Sequence, residues 1–230
     1  MDQVHRFLFL AIAFAGSLAT VEAATYHDPD NCFSLQVPDD WVRLPEEVTD
    51  AAGRPCPAWR FEPQDDSLPA LTIHVLAYEA FGIKGQITDE GIQAALDGQR
   101  SLFENDSEAD IVSAEQEPLR RIYNLTVDHH VQGAGTVRAR HAMAFGRDRA
   151  VALSFIDLKD AWDSSEKLRQ TIFSSFAFDV GSEFDASIPD NHAKRQGWLL
   201  GRLLGRLLLV GLVAYGIAAI FRGLAKARHP

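Results

Sequence analysis

"IYNLTVDHHVQGAGTVRARHAMAFGRDRAVALSFI", residues 122–156, holds three extended runs separated by two turn signals. Successive side chains of a strand point to opposite faces. Tyr123, Leu125, Val127, His129 and Val131 therefore share one face of the first run, and Asp128 and His130 take the other. Gly133-Ala134-Gly135 and Gly146-Arg147-Asp148-Arg149 interrupt the pattern where tight reversals are needed. The spacing predicts an antiparallel meander of 111–117 with 122–131, then 137–145, then 151–156. A turn pairing 131 with 137 sets His129 opposite Ala139 and diagonal to His141.

On either side of the meander the period changes. In "TDEGIQAALDGQRSLFEND", residues 88–106, Ile92, Leu96 and Phe103 fall on one helical face, with Asp89 as cap and Glu90 in the first turn. "DAWDSSEKLRQTIFSSFAF", residues 160–178, repeats that logic. Asp163 and Glu166 are spaced as a capping box, and Leu168, Ile172 and Phe176 form the buried stripe. Upstream, 32–37, "CPAWRFEP" at 56–63 and "ALTIHVLAYEAF" at 70–81 read as strands, and Pro38-Asp39-Asp40 reads as a turn. Strands with one helix among them and one after them predict an α+β domain, an antiparallel sheet covered by helices.

Two stretches resemble a known family. "FSLQVPDDW" (Phe33 to Trp41) and Ser174-Ser175-Phe176-Ala177-Phe178, with a helix after the early strands and a long meander between, are similar to the PsbP-like fold. That family includes an extrinsic subunit of the oxygen-evolving complex, a Ran-binding nuclear import factor and several exported bacterial proteins. The resemblance covers about residues 25–180. It implies an α/β/α sandwich and a non-enzymatic binding or assembly module.

The two ends carry a different message. Residues 1–23 place Arg6 before an apolar run at 7–15, with Val21 and Ala23 at the positions a signal peptidase inspects, and so predict a signal peptide. Residues 24–180 are then the exported domain, and 181–197, rich in Asp and Ser with Pro189, a tether. "WLLGRLLGRLLLVGLVAYGIAAIF", 198–221, makes about 36 Å of helix, against a bilayer core of ~30 Å. It predicts one transmembrane helix, with Trp198 as interface anchor and Arg202 and Arg206 snorkelling toward head groups. Gly201 and Gly205 permit weak helix-mediated self-association. Arg222, Lys226 and Arg228 follow in a short basic tail, 222–230, expected on the cytoplasmic side. The expected location is the inner membrane, single-pass, with the domain on the periplasmic side. The formal charge of −10 hides a more acidic body offset by a purely basic tail, and an acidic body argues against nucleic acid as a partner.

Candidate chemistry is sparse. Cys32 and Cys56 fall in the exported part and are expected to form a disulfide. His129 and His141 face inward with His74 on a nearby strand, so a metal- or small-ligand-handling protein is the alternative to the binding module. Ser164-Ser165-Glu166-Lys167 matches a bare S-x-x-K, better explained as a helix start. The acidic run Glu104, Asp106, Glu108, Asp110 lacks the spacing and glycine of a calcium loop. No nucleophile elbow, zincin helix, P-loop or dinucleotide fingerprint occurs, and no cofactor is expected. The expected function is a membrane-anchored extracytoplasmic module that binds a protein partner.

Overall fold

The 122–156 stretch folds as three consecutive strands: β9 (Ile122–Val131), β10 (Gly135–Phe145) and β11 (Arg149–Leu158), each antiparallel to the next. The computed structural model describes residues 23–49, 55–81, 83, 85–117, 120–131 and 135–185. Within them the meander is the centre of a seven-stranded sheet. β8 (Ala109–Glu117) lies outside β9, and β7 (Ala70–Ala77), β6 (Ala58–Pro63) and β3 (Trp41–Pro45) continue from β11 to the other edge. All neighbours pair antiparallel. The predicted α+β architecture is present.

The register of the central hairpin differs from the expectation by two residues. Gly135, with φ of +96°, belongs to the strand and pairs with Val131, so His129 opposes Val137 and His141 opposes Leu125. Glycine at that position takes a backbone angle other residues rarely adopt, which tightens the reversal. Cross-strand neighbours thus change, while the faces stay as predicted, because a shift of two preserves alternation.

The two faces of the sheet are covered differently. On one, Leu71, Ile73, Val75, Val151, Leu153 and Phe155 pack beneath α2 (Glu166–Ser175) and a second, three-stranded sheet. That sheet contains β1 (Ala23–Asp28), β2 (Phe33–Pro38) and β12 (Ala177–Phe178). The sequence reading assigns no element to 23–28, whose burial is confined to Asp28, so β1 has little hydrophobic pattern to reveal it. On the other face, Leu76, Met143, Phe145, Ala150 and Ala152 pack beneath α1 (Asp89–Glu104), chiefly on Ile92 and Ala95. A two-stranded ladder of β4 (Val48–Thr49) and β5 (Pro55–Cys56) forms a third sheet, with Cys56 packed against this second core.

Both helix starts depart from the predicted caps. Thr88, rather than Asp89, caps α1, its Oγ1 accepting the Gly91 amide at 2.8 Å. α2 begins at Glu166 after Ser165, whose hydroxyl donates to the Trp162 carbonyl at 3.0 Å and accepts from the Arg169 guanidinium at 3.2 Å, but caps no backbone amide of the helix. A short 3-10 turn, Lys159–Ala161, occupies the residues upstream, so the Asp163–Glu166 box does not form. Ile172 and Phe173 are the buried hydrophobics of α2, and Phe176 is buried just beyond its end.

The predicted disulfide is absent. Cys32 occupies the β1–β2 corner with φ of +54°, and its Sγ donates weakly to the Pro29 carbonyl at 3.6 Å. Cys56 packs against the core beneath α1, whereas the β1–β2 layer covers the opposite face. A bridge requires Cα atoms within about 7 Å and converging Cβ vectors. Alkylating the denatured, unreduced protein is therefore expected to modify both thiols in the intact mass; modification appearing only after reduction would contradict the structure.

The signal peptide expected at 1–23 lies outside the described residues except for Ala23, which begins β1. Most of the expected tether, 181–197, the transmembrane helix expected at 198–221 and the basic tail, 222–230, with Trp198, Arg202, Arg206 and Arg222, lie outside them too. No helix among the described residues is long and apolar enough to cross a membrane.

Candidate functional site

The three inward histidines converge under α1. His74 on β7, His129 on β9 and His141 on β10 are 1 %, 4 % and 0 % exposed, all on the face that α1 covers. The His129 and His141 rings stand 6.2 Å apart, edge to face. Phe103, from the last turn of α1, stacks on His141 at 5.3 Å and meets His129 edge-on at 5.7 Å. Helix period brings Phe103 there, on the same stripe as Ile92 and Gln99.

Burial decides the charge of these rings. It pushes His74 down to about 4, and His129 likewise to about 4 against the upward pull of Asp106 and Asp128. His141 is held well below the ordinary histidine range, first by burial and then by its two histidine neighbours. All three are neutral at pH 7. Ser154 on β11, 1 % exposed, shares a 2.8 Å hydrogen bond with His141 Nδ1. A serine beside an imidazole is the start of a nucleophile–base pair. Here neither group reaches solvent, so no substrate can approach.

A metal fares no better. Donors on Zn²⁺ sit about 2.1 Å from the ion, whereas the His129 and His141 rings stand 6.2 Å apart with Phe103 against both. Among the described residues no group of three His, Cys, Asp or Glu could hold a metal ion. What the cluster does show is unmet polarity. Both nitrogens of His74, Nε2 of His129 and His141, and Nε2 of Gln99 are buried without a hydrogen-bond partner among the described residues. Leaving such a group unsatisfied costs about 1–3 kcal/mol. Replacing His74 by leucine should therefore raise stability by about 1–3 kcal/mol at pH 7.5. Urea unfolding measures this, and a loss of stability would contradict it.

Ser154, Gln99 and Phe103 were not legible as partners of the histidines. Ser154 sits inside "AVALSFI", where only the β10–β11 register, Ser154 opposite His141, reveals the contact.

Two of the clefts among the described residues are shallow. One, of about 110 Å³, runs between α1 and strands β8 and β9, lined by Leu96, Gln99, Ala114, Gln116 and Tyr123. The other, of about 270 Å³, lies at the start of β9 among Arg120, Arg121, Phe145, Phe178 and Phe184. Both arginines there are already engaged. Arg121 meets Asp89 at 2.8 Å and lies 4.6 Å over the Phe184 ring, while Arg120 meets Glu117 at 3.1 Å and donates to the Phe176 carbonyl.

No family model matches the chain. Comparison with curated proteins finds no match. Among solved structures, the chain is similar to the PsbP protein of the cyanobacterium Synechocystis sp. PCC 6803, with 14 % identity and a TM-score of 0.48 over 73 % of this chain and 98 % of that one. It is similar to the Ran-binding protein Mog1p of Saccharomyces cerevisiae, with 12 % identity and a TM-score of 0.39 over 72 % of this chain and 100 % of that one. It is similar also to LpqN of Mycobacterium tuberculosis, a protein involved in cell envelope biogenesis, with 17 % identity and a TM-score of 0.43 over 69 % and 91 % of the two chains.

Proposed function

We propose that this chain is a non-enzymatic binding module, held at the outer side of a cytoplasmic membrane by its C-terminal apolar segment and presenting its folded domain to a protein partner. The observation that carries the reading is the contrast between interior and surface. The groups with chemical potential, His74, His129, His141 and Ser154, are sealed beneath α1. The described clefts of about 110 and 270 Å³ fall below the ~300–1,000 Å³ of an ordinary small-ligand pocket. Strand edges and shallow clefts suit recognition of another polypeptide better than turnover of a small substrate. The anchoring half rests on the sequence, where a signal-like start and a 24-residue apolar run bracket an acidic body. The tether at 181–197 gives the domain reach above the bilayer.

The test is crosslinking in intact membranes followed by purification under denaturing conditions. A discrete heteromeric adduct, abolished when the domain is deleted and the tail kept, is the expected result. Recovery of the chain solely as a monomer at every crosslinker length would overturn the reading.

A further inference from the structure

The described edge of the large sheet points to where a partner docks. β8 is the outermost strand beyond β9, it is nine residues long, and no described strand pairs with its outer side. Alternate N–H and C=O groups of an edge strand point away from its neighbour, which makes it a template for another extended chain. A bulge between Ile111 and Ser113 lifts Val112 to 47 % exposure, one of the few large exposed hydrophobics among the described residues. Ala114, Glu115 and Gln116 are exposed in succession, so both faces of the strand are open at this end.

Behind that open end lies the 110 Å³ cleft against α1, lined by Gln99. Gln99 is 4 % exposed and its Nε2 lacks a hydrogen-bond partner among the described residues. An incoming side chain with an acceptor oxygen would satisfy it. Acidic side chains outnumber basic ones on the rim. Asp97, Asp106, Glu108 and Glu115 surround the strip, whereas the nearby arginines are committed, Arg100 to Glu104 at 2.7 Å and Arg120 to Glu117 at 3.1 Å. Two copies joined edge to edge would set acid against acid, which disfavours self-pairing.

We infer that β8 and the cleft beside it form a docking strip for an extended, basic segment of a partner protein, which adds to the sheet as an eighth strand. Main-chain bonds to the edge supply affinity, and the cleft with its acidic rim selects lysine- or arginine-rich segments carrying a small polar side chain. The assignment rests on the binding-module reading and adds the surface and the chemistry of the partner.

The probe is a short fluorescein-labelled peptide of alternating lysine and threonine, with its glutamate counterpart as control, titrated against the full chain in detergent. Saturable binding of the lysine peptide at low ionic strength is expected, with slower hydrogen exchange of amides at 112–116. Asp97→Lys with Glu115→Lys should weaken it at least roughly tenfold while leaving the melting temperature unchanged. Absence of saturable binding, equal binding of the glutamate peptide, or binding that leaves exchange in β8 unaltered would each overturn the inference. Membrane crosslinks that form through other surfaces would sink the β8 assignment and leave the binding-module reading standing.

Discussion

Lowering the pH from 7 to 4 is expected to unfold the domain in a single cooperative transition, driven by three buried histidines. The sign follows from where the protons go. His74 and His129 are pushed down to about 4 in the fold, against 6.5 for the free side chain. Above 6.5 neither state binds a proton at these rings, and they add nothing to the pH dependence. Between 6.5 and 4 the unfolded chain protonates them and the fold does not, so stability falls as pH falls. Two and a half units each correspond to roughly 3 kcal/mol per histidine by pH 4. His141, shifted in the same direction, adds to the loss. A sum of this size matches the ~5–15 kcal/mol that holds a typical domain together.

Carboxylates modify the picture at the lower end. Arg138 and Lys159 hold Asp128 below its ordinary range, and the stability it confers is lost only as pH drops under about 4. Asp157 and Glu46, raised by burial, act in the opposite sense. Urea midpoints at pH 7.5, 6, 5 and 4 test the prediction. A steady fall beginning near 6.5, flattened in His74→Leu, is expected; a midpoint unchanged between pH 7.5 and 5 would contradict it.

Phe33→Ala is expected to cost ~3–5 kcal/mol, the range for truncating a fully buried aromatic. Phe33 is 0 % exposed and stands where three units meet. Its ring lies 6.1 Å from Tyr26 on β1, 6.4 Å from Trp59 on β6 and 5.8 Å from Phe176 beyond α2. Alanine there opens a cavity between the small sheet, the large sheet and the closing helix at once. Denaturant unfolding of the variant reads the loss. A cost below about 1 kcal/mol would mean that the small sheet is not docked as described.

Phe33 also shows what the sequence could tell. The stretch around it, and the alternation through 122–156, declare strands because one face is apolar at every second position. Periodicity likewise exposed α1 through Ile92 and Phe103. What it could not give was the assignment of β1, β2 and β12 to a separate sheet, since alternation states that a face is buried and not what buries it. The hairpin register was hidden in Gly135, whose left-handed backbone makes it a strand residue rather than a turn residue. The disulfide expectation failed on placement, with Cys32 at the β1–β2 corner and Cys56 packed against the core beneath α1. The histidines were seen to face inward, but their neutrality depends on Phe103 closing over them from a helix some 25 residues upstream of His129.

The proposed arrangement is a binding domain displayed outside the cytoplasm on a membrane anchor. Protease added to intact spheroplasts, followed by carbonate extraction of the untreated membranes, tests that most directly. Protease is expected to digest the domain and the full chain to stay in the carbonate pellet, while a chain ending at Asp185 is expected to be soluble. Protection of the domain from protease, or release of the full chain into the carbonate supernatant, would contradict it.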